Sequence, residues 1–356
     1  MNTRNRPARV LCASILCLTM LCSCGTQPSQ TVGEPTQETL ESPAVFDPYD
    51  LPLFDDLPKT YSAIDPAFWV AESQNGGKVY LLGSIHSADK TAYRLPQHIM
   101  DAYLESDALA VEMDILSYAA DTSAQRSDVE RTTYSDGDTL QNHIDPALYL
   151  QLVNFIQDNT KDPKLLDSLE DRKPCIWLSA LADIEDDAAG LSPQFGIDRH
   201  FLGLAHAQEK EIIEIESSVS QYDVLNRVSD ITYEMLFSQY IFQTPEYLGD
   251  SLKDTYAQWK SGRLQGSIEI SDDEAADEDA SGYTAAFVEY YRILFTERNA
   301  VMADAAKSYL DNGKKVFFTV GAEHLLGSKG VIARLEADGY YLTQLGGMAG
   351  MQELYG

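Results

Sequence analysis

The chain has 356 residues, with 26 basic side chains against 56 acidic ones and a formal charge of −30. Such a surface repels phosphate backbones, so nucleic acid is not an expected partner, and it offers no basic patch for anionic lipid. Of the five cysteines only Cys175 lies beyond Cys24, which excludes an internal disulfide framework and thiolate-bound zinc or iron–sulfur centres.

The amino terminus has the form of an export signal. Arg4, Arg6 and Arg9 precede an apolar stretch from Val10 to Met20 that is too short for an ordinary membrane span. Leu21-Cys22-Ser23-Cys24 resembles the lipobox of bacterial lipoproteins. That resemblance implies removal of residues 1–23 and acylation of Cys24, with palmitate among the expected chains. The protein would then sit in the cell envelope, outside the cytoplasm, attached to the membrane by lipid. An ordinary secretory signal is the simpler alternative. Residues 24–44 are rich in Thr, Gln, Pro, Ser and Glu and contain no aromatic residue. They are expected to form a disordered tether reaching about 65 Å when extended. Residues 45–356 are left as the folded domain.

Phe68-Trp69-Val70-Ala71 and Val79 to Leu82, separated by Gln74-Asn75-Gly76-Gly77, predict a β-hairpin. Pro96 then opens a segment whose apolar residues Ile99, Met100, Tyr103 and Leu104 recur at helical spacing, and Ala108 to Met113 is strand-like. Strand, helix and strand in succession form a βαβ unit, so the two strands should run parallel. The middle is mostly helical. Helices are expected from Pro146 to Ile156, from Pro174 to Ile184 and from an Asp198 cap to Gln208, then over roughly 220–242, 244–259 and 283–310. Ile212 to Glu216 predicts a strand between them. Seven of the eleven residues from Glu269 to Asp279 are acidic; without the alternating ligands and glycine of a calcium loop, they are expected to be a solvated loop. Helix Val331 to Ala337 and strand Tyr340 to Leu345 end the fold.

One arrangement occurs twice. Val79 to Leu82 runs into Gly83-Ser84-Ile85-His86, and Phe317 to Val320 runs into Gly321-Ala322-Glu323-His324. Each strand closes on glycine and delivers a histidine, while Val111-Glu112 ends a third. Sites in open parallel sheets gather beyond the carboxyl ends of the strands, so His86, His324 and Glu112 should meet. Two imidazoles and a carboxylate suit zinc, manganese or cobalt, and three protein ligands with open positions make a catalytic centre. The alternative is that both histidines cap their strands and bond locally. His98, His143, His200 and His206 have no such placement and are expected at the surface or in packing. No H-E-x-x-H, nucleophile elbow, Walker loop or dinucleotide loop is present.

Taken with Gly196-Ile197-Asp198, Glu216, Arg298-Asn299 and Gly321-Ala322-Glu323-His324-Leu325-Leu326-Gly327, the order of motifs resembles the TraB/GumN family, across residues 60 to 345. This family includes TIKI-type metalloproteases and is similar to the erythromycin-esterase and ChaN-like folds. The resemblance implies an α/β fold: a mixed central sheet with surrounding helices, pseudo-symmetric strand–G-x-x-H halves and a large helical insertion. It also implies a metal-dependent hydrolase of the peptidase kind, in which His86, Glu112 and His324 hold the metal. Arg298 would stabilise an oxyanion or a substrate carboxylate, Asn299 would assist by hydrogen bonding, and Glu216 would act as base or as partner to a histidine. Asp198 would cap its helix or touch the site; Glu323 falls where the family pattern varies. A non-catalytic lipoprotein that binds a peptide signal or haem, and a metal-free esterase-like hydrolase, are the competing readings.

Overall fold

The computed structural model describes residues 64–266 and 283–347; the signal, the tether and the acidic run lie outside the described residues. Six strands form one mixed sheet: β1 (Phe68–Glu72), β2 (Lys78–Ser84), β3 (Ala108–Val111), β4 (Glu211–Glu214), β5 (Lys315–Gly321) and β6 (Tyr341–Gly346). Their spatial order is β4-β3-β5-β2-β1-β6. The strands from β4 to β2 pair in parallel, and β1 runs antiparallel to both of its neighbours.

The hairpin of β1 and β2 forms as expected. Helix α1 (Gln97–Glu105) makes the crossover from β2 to β3, which are parallel but not adjacent, because β5 lies between them. The two glycine-ended strands are therefore neighbours, with Ser84 level with Gly321. β2, β3 and β5 are almost wholly buried, which is why they are near-continuous apolar runs with no polar alternation.

The principal helices that follow are α2 (Pro146–Asn159), α3 (Pro174–Ala189), α4 (Ile197–Ala207), α5 (Ser218–Leu225), α6 (Asp230–Ile241), α7 (Pro245–Lys260), α8 (Tyr283–Tyr291), α9 (Glu297–Asp311) and α10 (Val331–Ala337); helices Ile115–Ala120 and Thr122–Arg131 precede α2, and short helical turns lie between some of the others. One face of the sheet, carrying Tyr80, Leu82, Leu109, Val111 and Phe317, packs into the larger core with most of these helices. The other face, carrying Val79, Leu81, Val316, Phe318 and Val320, packs against Met302, Ala306 and Leu310 of α9 and Val331 and Leu335 of α10.

Two expected helices are interrupted. The pattern over 220–242 divides into α5 and α6, because Ser217 caps α5 and a new helix starts after Ser229. The pattern over 283–310 contains a π-helical turn, Arg292–Thr296, between α8 and α9. The start of α4 also differs: Gly196 occupies the cap position and Asp198 lies inside the first turn.

Gly83 faces β5's exit so closely that a Cβ there would lie 2.7 Å from the Ala322 Cα. Gly83→Ala is expected to destabilise by about 1–3 kcal/mol in urea denaturation, since backbone must move. Gly203→Ala serves as the comparison: it is in mid-helix with nothing within 4 Å of the added carbon, and should be neutral or stabilising.

Candidate active site

The carboxyl ends of four parallel strands deliver the site. His86 follows β2, Glu112 follows β3, Glu216 follows β4, and His324 lies in the single helical turn Ala322–Leu325 after β5. All four are largely or fully buried. Helix α9 brings Arg298 and Asn299 over the same edge, and α4 brings Asp198.

Arg298 links the carboxylates. Its Nε donates to Glu216 Oε1 at 2.8 Å and its Nη2 to Glu216 Oε2 at 2.7 Å, while Nη2 also reaches Glu112 Oε2 at 2.6 Å. The backbone N–H of Gly321 donates to the other oxygen of Glu112, Oε1, at 2.8 Å. The second glycine of the duplicated motif thus ties its strand end to Glu112. Backbone also fixes Glu216, whose N–H donates to the carbonyl of Glu112 at 2.8 Å.

Each histidine is held through Nδ1. His86 Nδ1 meets Asp198 Oδ2 at 2.8 Å, and because a carboxylate only accepts, the ring donates there. His324 Nδ1 meets Asn299 Oδ1 at 2.6 Å. The Asn299 Nδ2 group donates to the Lys329 carbonyl at 3.1 Å, so Oδ1 must face the histidine and Nδ1 again carries the proton. Both rings therefore keep Nε2 as the basic nitrogen, which is the tautomer a metal-ligating histidine uses with an outer acceptor on Nδ1.

Their different neighbours shift the two rings in opposite directions. Burial works against a charged His86, yet the charge and hydrogen bond of Asp198, with Glu112 behind, raise its pKa above the ordinary value. Burial and the charge of Arg298 depress His324 well below it.

His324 Nε2 lies 3.9 Å from Glu112 Oε1. Two tetrahedral ligands on one zinc stand roughly 3.3 Å apart, so the donors suit a shared cation in type and tautomer but are more widely spaced. Among the described residues no group of three or more His, Cys, Asp or Glu is arranged closely enough to hold a metal. Glu112 and Glu216 share the one Arg298 guanidinium, while Asp198 is paired with His86.

All seven residues singled out in the sequence thus come together. Asp198 does so as the hydrogen-bond partner of His86 and not as a helix cap, and Asn299 does so as the partner of His324. Gln221 is an addition: its Nε2 donates to Glu216 Oε2 at 2.8 Å and lies 3.4 Å from Glu112 Oε2. Its only signal in the sequence is its place on the helix that follows Glu216.

The remaining histidines have other roles. His200 is buried against Tyr93 with ring centroids 4.3 Å apart, and burial lowers its pKa to about 4. His206 pairs with Asp114 at 2.8 Å, His143 lies between Asp138 and Asp230, and exposed His98 rests against Phe68. Cys175 is buried and is not part of a disulfide.

No solved structure matches the chain. Two curated relatives match at 26% identity over 153 residues, the uncharacterised protein YbaP of Escherichia coli (strain K12) and its counterpart in Shigella flexneri. The match covers 42% of this chain and 53% of each relative, so the chain spans about half the length of the curated relatives it matches. The model of the TraB/PrgY/gumN family matches residues 67–344, a span that includes the whole site just described, and the chain belongs to that family.

Proposed function

We propose that the protein is a hydrolase that cleaves peptide bonds at the His86–Glu112–His324 centre. The observation that carries this reading is the pair of buried imidazoles just beyond the carboxyl ends of adjacent parallel strands, each fixed through Nδ1 so that its basic Nε2 is held. A divalent cation (zinc, manganese or cobalt) would be held by His86, His324 and Glu112; it would polarise a carbonyl and acidify a water. Asp198 and Asn299 fix the tautomer and direction of the two rings. Arg298 offsets the charge of Glu112 and Glu216 and would stabilise negative charge developing there. The excess of carboxylates disfavours anionic substrates and suits a neutral or cationic peptide.

The test uses the full chain and a mixture of internally quenched peptides. Cleavage is expected, with loss on chelation, recovery on adding back zinc, manganese or cobalt, and loss in His86→Ala, His324→Ala and Glu112→Gln variants that retain the native circular dichroism. Chelator-resistant cleavage that still needs both histidines would replace this reading by metal-free acid–base hydrolysis. Absence of cleavage by metal-loaded protein, with a Soret band on adding haem, would make it a binding protein.

We also propose attachment to the envelope through lipid on Cys24. Among the described residues no helix is long and apolar enough to cross a membrane. Cys24→Ser should move the protein from the detergent phase to the aqueous phase on detergent partitioning; unchanged partitioning would reject the anchor.

A further inference from the structure

Gln221 is 6% exposed, and two carboxylates face one end of its amide. That fixes the amide's orientation, since the flipped form would set its carbonyl oxygen against both anions. The opposite end is the acceptor Oε1, which is buried and has no hydrogen-bond partner among the described residues. A buried acceptor left without a donor costs on the order of 1–3 kcal/mol. Buried polar atoms of native proteins are otherwise nearly all matched, and exceptions point to a ligand or a catalytic role.

Two hydroxyls of the sheet share the property. Ser84 Oγ and Thr319 Oγ1 are also buried without partners among the described residues, and both lie at the carboxyl ends of the glycine-ended strands β2 and β5. Among the described residues Gln221 Oε1, Ser84 Oγ and Thr319 Oγ1 thus all belong to elements at the carboxyl ends of the parallel strands.

We propose that Gln221 is a substrate-binding residue whose Oε1 accepts an amide N–H, so that the site selects substrates with a backbone N–H near the reacting carbonyl. Its Nε2 end, anchored on Glu216 and Glu112, sets the acceptor in position before substrate arrives. The donor must be neutral or cationic, because an anion would meet Glu112 and Glu216. This inference deepens the peptidase reading and rests on it only for its effect on turnover.

Two measurements test it. In the first, crystals of the wild-type protein are soaked with N-methylacetamide or with N,N-dimethylacetamide, which lacks the N–H. The expected result is the nitrogen of the first within hydrogen-bond distance of Gln221 Oε1, and no such contact for the second. Both amides on Oε1, neither on it, or a protein donor already there would overturn the proposal. In the second, a cleaved peptide is N-methylated one position at a time. One methylation should lower kcat/KM about tenfold in wild type, the size of one lost hydrogen bond, and have no effect in Gln221→Met. A merely structural role would lower turnover of all the peptides alike and leave the methylation penalty in place, which overturns the proposal. If no peptide is cleaved, the hydrolase reading fails while the soak still decides the role of Gln221.

Discussion

Replacing Arg298 by methionine is expected to destabilise the fold by about 3–5 kcal/mol, measured as the shift of the urea transition. The side chains of Arg298, Glu112 and Glu216 are 8%, 2% and 8% exposed, so solvent does little to screen them. Removing the guanidinium would leave two carboxylates facing each other out of water with Gln221 and the Gly321 N–H as donors. Arg298→Lys keeps the charge but loses the paired contact to both oxygens of Glu216, and should fall between. The decisive variant is Arg298→Met combined with Glu112→Gln and Glu216→Gln, which removes the stranded charges with their partner. It should recover most of the lost stability while remaining inactive. A loss below about 0.5 kcal/mol for Arg298→Met would match an exposed helix arginine and contradict this network.

That network was only half legible in the sequence. The strands were readable because buried parallel strands are short apolar runs closed by glycine, and their ends mark where a doubly wound sheet places its site. Glu112, His86 and His324 follow directly from that rule. Asp198 resembled a helix cap because an acidic residue at a helix start is a local signal, whereas its real partner is His86, far away in sequence. Asn299 and Gln221 are polar residues inside helices, where periodicity says only that a face is buried and not what it meets. The neighbouring place of β2 and β5 was likewise hidden: local sequence predicts a strand but not the strand beside it. The breaks at Ser229 and at the π-helical turn depend on how α6 and α9 pack, and a helical pattern with few stop residues gives no warning of either.

The acidic side of α3 gives the second large effect, in pH and not in a contact. Glu185 is buried, with only Tyr240 among the described residues donating to it, at 3.2 Å, and burial together with the adjacent Asp186 raises its pKa to about 8. Asp186 accepts from Ser87 Oγ at 2.7 Å and is raised to about 7, again chiefly by burial, with Asp183 and Asp187 adding and His86 opposing; Asp183 reaches about 6. In the unfolded chain a glutamate gives up its proton near pH 4.3. Between that value and about 8 the folded state therefore binds the extra proton, so stability is full below the lower value and is lost as pH rises through the higher one. A shift of this size corresponds to roughly 2–5 kcal/mol at alkaline pH, allowing for the mutual repulsion of Glu185 and Asp186. Glu185→Gln keeps an oxygen for the Tyr240 hydroxyl and cannot ionise. It should match wild type at pH 4 and exceed it in urea stability by that amount at pH 9, with part of the gain coming from relief of Asp186. Parallel stability–pH curves for the two proteins would mean that Glu185 is already ionised at neutral pH.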